Sequence, residues 1–385
     1  MAISIENLHH SYGKNKEPAV DNLSLDIKKG QLYVLLGPSG CGKTTTMRCI
    51  AGLETPQEGR IAVDGRPVLD AQRRINVPTH KRNIGMVFQS YAIWPHKTVF
   101  ENVAFPLRMQ GIKAKAAAGR VSTILEKVGL GGFEDRGASL LSGGQMQRVA
   151  LARSIAMQPS VLLFDEPLSN LDARLRENLR FEIRALQQEF GFTAVYVTHD
   201  QSEALALGDE IAVMKAGRIV QQGNPIELYR NPVSGFVAAF LGVGNIFRAE
   251  VIAREAGGTR VRIEGTSLEM VSSSVAEVGE RVIATVRDED VKVTARGAEG
   301  VTEANSLTGT VRVGSFLGSE VHYQCVVGGH LTMKSSMPAV GSPFPNGENV
   351  TISIRRDAVR LVDSDDSAAI TADPASPATL AKHTD

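Results

Sequence analysis

Glycine, lysine and threonine residues occur in one short segment at a spacing that suits phosphate binding. The segment reads Gly37-Pro38-Ser39-Gly40-Cys41-Gly42-Lys43-Thr44 and fits the pattern G-x-x-x-x-G-K-[ST] in full. Glycines let backbone N–H groups surround phosphate oxygens, and the start of a following helix adds partial positive charge. Lys43 can then reach the β- and γ-phosphates of a nucleotide, and the Thr44 hydroxyl can bind Mg²⁺. A glycine-rich turn with a coincidental lysine is the alternative.

Two adjacent carboxylates offer a second piece of the same chemistry. Asp165 and Glu166 directly follow the apolar run 161–164. A carboxylate at the end of a strand can hold Mg²⁺ directly or through water, which is the role we expect for Asp165. Glu166 can activate an attacking water as a general base. Acidic residues also end strands for solubility. The pair therefore indicates a catalytic site only in combination with the phosphate-binding segment.

A second candidate anion site starts at Ser142. Ser142-Gly143-Gly144 precedes a helical run, residues 147–156, so the serine stands at a predicted helix start. A simple helix cap is the alternative interpretation. One nucleotide does not need two phosphate-type sites in the same domain. The two sites make sense if two copies meet head to tail, so that each copy presents this segment to the nucleotide bound by the other.

These segments together carry a resemblance to a known family. Residues 141–145, Leu-Ser-Gly-Gly-Gln, match the signature sequence of ABC transporter ATPases, and residues 1 to about 235 resemble that family. The resemblance implies binding of ATP and Mg²⁺ by a homodimer. It assigns nucleotide contacts to the segment 37–44, to Thr45, and to Ser142, Gly143, Gly144 and Gln145.

Further positions match the family's motifs in order. Tyr12 stands where the family has an aromatic residue that stacks on adenine, and Gln89 where a glutamine senses Mg²⁺ and the attacking water. Residues 169–172 resemble the loop that communicates between paired subunits. His199 resembles the switch histidine that contacts the γ-phosphate. The implied catalytic set is Glu166, His199, Lys43 and Gln89, and the implied metal ligands are Thr44, Gln89 and Asp165. Each of these residues alone could be packing or surface.

Hydrophobic patterning indicates elements that could position these residues. The continuous apolar runs 32–36, 161–164 and 194–197 predict buried parallel strands, and apolar residues at helical spacing between the last two predict a βαβ unit. Residues 1–235 are therefore predicted to form an α/β P-loop NTPase domain. Residues 211–220 read as a hairpin with a glycine turn.

From about residue 240 short strand patterns separated by glycine-rich turns replace the helical periods. Residues 236–362 are predicted to form a small all-β, OB-like domain. Residues 279–287 are echoed by residues 347–355, which suggests two related strands, although chance similarity of alternating strands is the alternative. The tail 363–385 is rich in Ser, Ala, Thr, Pro and Asp and is predicted to be disordered.

The second domain resembles the TOBE type found in importer ATPases for iron(III), polyamines and sugars. That family usually carries Arg-Pro-Glu after the first strand, whereas this chain has Arg287-Asp288-Glu289. Residues 91–99 look most like the iron(III) and polyamine branches, in a region that receives the permease in this family. Trp94, the only tryptophan, could be a contact anchor or a core residue.

Composition limits the alternatives. Lys+Arg and Asp+Glu balance at 42 each, so no bulk charge favours nucleic acid. The three cysteines form no disulfide or metal pattern, and no apolar stretch approaches the roughly 20 residues of a membrane span. Residues 1–10 lack the features of a signal peptide. We therefore expect a peripheral protein on the cytoplasmic face of the inner membrane.

The resulting functional hypothesis is the ATP-hydrolysing subunit of a bacterial ABC importer with iron(III) or polyamine-type cargo. Its expected partners are a second copy, integral-membrane permease subunits and, indirectly, an extracytoplasmic solute-binding protein. A sugar-type importer and an exporter are the alternatives that remain. DNA-repair relatives would insert long coiled coils between Lys43 and Ser142, and translation-type factors carry two ATPase halves; neither feature is present. A non-enzymatic module would lack Lys43, Asp165, Glu166 or His199.

Overall fold

The apolar runs form buried strands in the computed structural model, which describes residues 1–13, 16–297 and 305–363. The chain divides into two compact units, Met1–Leu228 and a second that begins at Tyr229. The domain boundaries expected from the sequence stay predictions. Of the predicted tail 363–385 the structure describes only Asp363, the last residue of a strand, and residues 364–385 lie outside the described ranges. None of the helices in the described ranges is long and apolar enough to cross a membrane.

The first unit combines strands and helices along its whole length. Its strands are β1 (Ile3–His10), β2 (Val20–Ile27), β3 (Leu32–Leu36), β4 (Glu58–Val63), β5 (Arg66–Asp70), β6 (Ile75–Asn76), β7 (Ile84–Val87), β8 (Val161–Asp165), β9 (Thr193–Thr198), β10 (Glu210–Lys215) and β11 (Arg218–Gly223). Its helices are α1 (Lys43–Ala51), α2 (Val99–Met109), α3 (Ala114–Lys127), α4 (Gly143–Ala156), α5 (Ala173–Phe190) and α6 (Gln201–Leu207), and α7 (Pro225–Arg230) runs across the boundary.

The central sheet of the first unit brings the chemistry-bearing loops to one edge. Its strand order is β11-β10-β3-β9-β8-β7, with β10, β3, β9, β8 and β7 parallel. Strand β9 lies between β3 and β8, so the loops after these three strands meet at their carboxyl ends. Ligands bind at this edge in open α/β sheets. The βαβ unit predicted between β8 and β9 is confirmed, and so is the hairpin of β10 and β11.

A second, antiparallel sheet of order β2-β1-β4-β5-β6 shares a hydrophobic core with the first. Ile3 and Ile5 of β1, Leu35 of β3 and Met47 of α1 are all buried in this core. Because α1 is anchored in this core by its buried side chains, its N-terminus is held at the end of β3. The core therefore fixes the position of the phosphate-binding segment.

The second unit is built from a helix and two five-stranded sheets. Its elements are α8 (Gly235–Phe240), β12 (Asn245–Glu255), β13 (Gly258–Ile263), β14 (Glu269–Ser272), β15 (Arg281–Val286), β16 (Val291–Ala295), β17 (Asn305–Phe316), β18 (Glu320–Val327), β19 (Leu331–Pro338), β20 (Asn349–Ile354) and β21 (Arg360–Asp363). The sheet orders are β14-β13-β12-β15-β21 and β16-β20-β17-β18-β19. One buried cluster fills the space between them.

The two sheets repeat one arrangement. Strands β12–β15 have the same order and pairing as β17–β20, and the final strand of each half, β16 or β21, joins the sheet of the other half. The echoed segments 279–287 and 347–355 contain β15 and β20, and each is followed by a 3-10 turn, Asp288–Asp290 or Arg356–Ala358. The repeat read from the sequence is therefore structural, and it extends across the whole all-β region.

Candidate functional site

Lys43 is a buried cation whose hydrogen-bond partners are neutral groups. Its Nζ donates to the carbonyl oxygens of Gly37 and Pro38 at 2.7 and 2.9 Å. Lys43 is 4% exposed, and in the described part of the chain no carboxylate forms an ion pair with it. A buried charge without a counter-ion is costly unless an anion occupies the site. The loop therefore fits a bound phosphate chain.

The backbone of this loop requires its glycines. Gly42 has φ 103°, and a Cβ there would lie 2.1 Å from the Ala19 carbonyl oxygen. Gly37 is confined in the same way by the Met214 carbonyl, 2.5 Å from a would-be Cβ. Ser39 and Gly40 are exposed at the tip, whereas Cys41 is buried beside Lys43, and burial raises the pKa of its thiol. The loop can thus turn tightly around a ligand.

Thr44 and Asp165 meet although 121 positions separate them in the sequence. The Thr44 hydroxyl donates to Asp165 Oδ1 at 3.1 Å. Burial raises the pKa of the Asp165 carboxyl, and the Thr44 hydrogen bond opposes that shift. A hydroxyl and a carboxylate beside a phosphate loop are the oxygen ligands that Mg²⁺ prefers. This donor set fits a magnesium ion.

Glu166 and His199 form the third part of the site. His199 Nδ1 lies 3.1 Å from Glu166 Oε2, and the histidine side chain is about half exposed. Glu166 has φ 43°, a left-handed conformation that is unusual for a residue other than glycine. Its backbone N–H donates to Val197 of β9, and Ser169 closes the turn by donating to its carbonyl. The backbone thus aims this carboxylate toward the carboxyl edge of the sheet.

Gln89 and Tyr12 each contact another segment of the candidate site. The Gln89 carbonyl accepts from Asn170 Nδ2 at 3.1 Å, so the structure brings together the segment after β7 and residues 169–172. The Tyr12 hydroxyl lies 3.2 Å from Thr45 Oγ1, the residue is 54% exposed, and its ring meets the His10 ring edge-on. An exposed aromatic ring tied to the end of the phosphate-binding segment is available for stacking on a base.

The signature segment does not join this cluster. Ser142 Oγ accepts from the Gln145 N–H at 3.4 Å, and Gln145 Oε1 accepts from the Ser142 N–H at 3.0 Å. Within the described ranges no hydrogen bond links these residues to segment 37–45. Gly143 and Gly144 face Leu171 and Leu175 at distances that would crowd a Cβ. In one copy, therefore, Ser142 caps α4. Its role toward the nucleotide of a second copy stays a prediction.

Two further residues of the site were not found from the sequence. Arg153 of α4 donates to the carbonyls of Tyr91 and Ala92, which have φ of 62° and 49°, and its guanidinium covers the Trp94 ring. Trp94 is half-buried against Phe105. Nothing in the local sequence indicates that an arginine 61 positions away holds the strained turn after Gln89.

Glu203 is the second residue missed. It is 3% exposed and accepts hydrogen bonds from Tyr196 and Thr198 on the strand that leads to His199. Burial raises the pKa of its carboxyl. The spacing Asp200-x-x-Glu203 could have suggested a helix start, but only the fold shows that the carboxylate points inward.

The comparisons with known proteins agree with this geometry. Residues 20–169 match the ABC transporter family, and residues 284–362 match the TOBE domain. A relative from Brucella abortus, named Fe(3+) ions import ATP-binding protein FbpC, is 43% identical over 361 residues, which cover 94% of this chain and 98% of the relative. A relative of the same name from Photorhabdus laumondii is 51% identical over 64% of this chain and 68% of its own length.

Solved structures resemble the chain over its first part. One is cbiO1 from Clostridium perfringens, described as part of the ABC transporter complex cbiONQ, with a TM-score of 0.54, 30% identity, and coverage of 60% of this chain and 91% of that one. Another is the ATP-binding cassette MJ0796 in a dimeric post-hydrolysis state bound to ADP and Pi, with a TM-score of 0.50, 32% identity, and coverage of 58% and 98%. The chain therefore belongs to the ABC transporter ATP-binding proteins and is an import ATPase whose ATPase domain is followed by an OB-like TOBE domain.

Proposed function

We propose that this chain hydrolyses MgATP to drive uptake of iron(III). The cargo is supported by relatives named for Fe(3+) import, which are 43% identical along 98% of their length. The hydrolysis machinery is supported by one observation above the others: Thr44 and Asp165 are hydrogen-bonded beside a buried, unpaired Lys43. A shared cargo is the simplest reason for similarity that continues through both domains.

The proposed residue roles follow from the contacts. Lys43 and the N–H groups of segment 37–45 hold the phosphates, and Tyr12 stacks on the adenine. Thr44, Asp165 and Gln89 hold Mg²⁺, which when bound neutralises phosphate charge. Glu166 orients the attacking water and accepts its proton. His199, 3.1 Å from Glu166, keeps that carboxylate in place and contacts the γ-phosphate.

The active form in this proposal is a head-to-tail homodimer. Among the described residues, no hydrogen bond joins Ser142, Gly143, Gly144 or Gln145 to the phosphate loop of their own copy, and Ser142, which caps α4, is exposed. A helix start attracts anions. In a closed pair this segment covers the γ-phosphate of the partner's nucleotide. A dimeric relative of known structure supports this arrangement.

The permease contact in this proposal lies on the surface after Gln89. Exposed apolar side chains gather there, with Phe105 at 38% and Met109 at 73% exposure, and Trp94 packs on Phe105. Arg153 is a residue of α4, the helix that begins within the signature segment, and it binds the backbone of the turn at this surface. Closure of the dimer can therefore move the permease. The chain would sit at the cytoplasmic face of the inner membrane, with a solute-binding protein outside.

Replacement of Glu166 tests the chemistry. Glu166→Gln keeps the shape and the contact with His199 but cannot accept a proton, so we expect turnover to fall by at least about 100-fold while ATP binding persists. Phosphate release and binding of a fluorescent ATP analogue measure the two quantities. Glu177→Gln, an exposed position on α5, is the matched control. Turnover near the wild-type rate in Glu166→Gln would contradict the assigned role.

Transport tests the cargo. A strain that lacks the gene is supplied with the wild-type chain or with Glu166→Gln, and uptake of radioactive iron(III) and of spermidine is followed. We expect the wild-type chain alone to restore iron uptake and neither to change spermidine uptake. Restoration of spermidine uptake without iron would replace the proposed cargo and leave the ATPase assignment intact.

A further inference from the structure

Helix α5 carries a row of arginines that contact both ends of α6. Arg176, Arg180 and Arg184 are four residues apart, so their side chains lie on one face of α5. Each arginine donates to a residue at or near an end of α6: Arg176 to Asp200, Arg180 to Ser202 and Arg184 to Asp209. His199 directly precedes α6 and its cap, so α5 helps to fix where the histidine lies.

Arg176 differs from the other two arginines because it also holds the loop 169–172. Its Nη2 donates to the Leu171 carbonyl at 3.0 Å, while its Nη1 donates to Asp200 Oδ2 at 3.3 Å. The other carboxylate oxygen of Asp200 caps α6. Among the described residues, no hydrogen bond joins Arg180 or Arg184 to this loop. One guanidinium group therefore joins the loop before α5 to the turn before α6.

The same loop lies against the signature segment of its own copy. Gly143 and Gly144 are so near Leu171 and Leu175 that a Cβ at either glycine would lie 3.3 or 3.2 Å from a leucine side chain. Side chains packed at this density leave no room for independent motion. A shift of the start of α4 therefore has to move these leucines.

We propose that Arg176 is a positioning residue that ties the placement of His199 to the signature segment of its own copy. The inference rests on the proposed function, in which that segment covers the partner's nucleotide while His199 contacts the nucleotide of its own copy. Closure on the partner's nucleotide presses the start of α4 against Leu171, and Arg176 passes the change to Asp200. The two nucleotide sites of the pair are thereby linked through each copy.

Stability alone does not account for this arrangement. The side chains of Arg176 and Asp200 are 29% and 25% exposed, and ion pairs that reach the solvent contribute little to the free energy of folding. Arg176 Nε is buried without a hydrogen-bond partner in the described part of the chain, which is unfavourable. Removal of the guanidinium group should therefore leave the fold nearly as stable as before, so its effect on catalysis can be measured separately.

Steady-state kinetics of the full chain test this proposal. Arg176→Gln is too short to bridge Leu171 and Asp200, so we expect kcat for ATP to fall by at least about tenfold. The ATP concentration at half-maximal rate should stay within about twofold, because the residues assigned to bind the nucleotide are unchanged. The unfolding temperature should change by less than about 4 °C. Arg176→Lys keeps a cation beside Asp200 and should restore part of kcat.

A double-mutant cycle shows whether Arg176 acts through Asp200. Asp200→Asn keeps an oxygen that can cap α6 but loses the charge that faces Arg176. If the two residues act as one unit, the double variant should be no slower than the slower single variant, whereas independent effects would multiply. Arg180→Gln is the matched control, since it removes the neighbouring contact with Ser202 and leaves the loop 169–172 joined to α6.

Leu171→Ala tests the link to the signature segment. It retains the backbone carbonyl that Arg176 binds but loses the side chain that packs on Gly143. We expect a lower kcat that does not add to the loss in Arg176→Gln, because both changes break the same series of contacts. A loss that multiplies with that of Arg176→Gln would overturn the link.

Three other results would overturn the positioning role itself. These are an unchanged kcat in Arg176→Gln, a multiplied loss in the double variant with Asp200→Asn, and an equal loss in Arg180→Gln, which would show that α5 merely supports α6. Glu166→Gln, measured alongside, separates this inference from the proposed function. Loss of its turnover together with wild-type kinetics in Arg176→Gln removes only the role of Arg176, whereas turnover near the wild-type rate in Glu166→Gln contradicts the proposed function.

Discussion

At the residue scale the nucleotide site is defined by charges that lack partners. Lys43 is buried against carbonyl oxygens. Asp165 is a buried carboxylate, and among the described residues Thr44 alone donates a side-chain hydrogen bond to it. Proteins keep such groups where a ligand completes the charge balance. Glu166 adds backbone strain at the same edge of the sheet. In the first unit, therefore, the residues assigned to the nucleotide site reduce the stability of the unliganded fold.

Removal of the Thr44 hydroxyl tests the metal site. Thr44→Val keeps the volume but loses the donor to Asp165 and an oxygen ligand, so we expect affinity for Mg²⁺ to fall by about 10- to 100-fold. The Mg²⁺ dependence of ATP turnover measures the change. Thr123→Val on α3, an exposed threonine, is the matched control. An unchanged Mg²⁺ dependence would exclude Thr44 as a ligand.

At the element scale the turn between β9 and α6 decides where His199 lies. Asp200 caps α6 by accepting from the N–H groups of Ser202 and Glu203. Glu203 then turns inward and accepts from Tyr196 at 3.0 Å and from Thr198 at 2.8 Å. Since Thr198 immediately precedes His199, the hydrogen bond from Thr198 to this buried carboxylate fixes the backbone that carries the histidine.

Truncation of Glu203 should damage both stability and catalysis. Glu203→Ala leaves two buried hydroxyl groups without their acceptor, so we expect a loss of about 2–4 kcal/mol in the free energy of unfolding. Glu203→Gln retains an acceptor and should lose less. Calorimetric unfolding measures stability, and the variants' kcat measures the placement of His199. If Ala and Gln behave alike, the hydrogen bonds have no positioning role.

The pH dependence of Glu203→Gln has a definite sign. Burial raises the pKa of Glu203 above its ordinary value of 4.5, so the folded state holds this proton more tightly than the unfolded state. The wild-type chain therefore loses stability as pH rises from about 4.5 through the folded pKa. The glutamine variant has no such proton. We expect its stability relative to wild type to improve across this window, and a difference that is constant with pH would contradict the assignment.

At the scale of the whole molecule, the two halves of the second unit are joined by hydrogen bonds from side chains of each half to the backbone of the other. Asn245 in the first half hydrogen-bonds both the N–H and the carbonyl of Lys334 in the second, at 2.7 and 2.9 Å. Asn305 in the second half makes the same pair with Val271 in the first, at 2.6 and 2.9 Å. Ser272 and Ser335 repeat the pattern by donating to Val359 and Val291.

Asn245 and Asn305 should therefore each be needed for the stability of the second unit. Asn245→Ala and Asn305→Ala each leave buried backbone groups unpaired, and we expect each to cost about 2–4 kcal/mol. Because ADP stabilises the first unit, the unfolding transition that ADP does not shift reports on the second. Asn349→Ala, at an exposed asparagine of β20, should change stability by less than about 0.5 kcal/mol. Similar effects at all three positions would contradict the two-fold arrangement.

The sequence by itself determined the chemistry and the class of fold. A glycine-rich segment between an apolar run and a helix, two carboxylates after another apolar run, and the residues 141–145 suffice to identify the family, because phosphate binding requires particular residue types at a fixed local spacing. The internal repeat was also readable, since each copy of the strand keeps its alternating pattern. The individual roles of Tyr12, Gln89 and His199 stay predictions.

Only the tertiary structure decided which distant residues meet. The contacts of Thr44 with Asp165, of Arg153 with the turn after Gln89, and of Asn305 with Val271 all join segments far apart in the chain, and local patterns carry no information about them. The exchange of β16 and β21 between the two sheets of the second unit was likewise invisible, because the pattern of a single strand does not show which sheet it joins. Strand order sets these contacts, and strand order follows from how the whole chain buries its apolar faces.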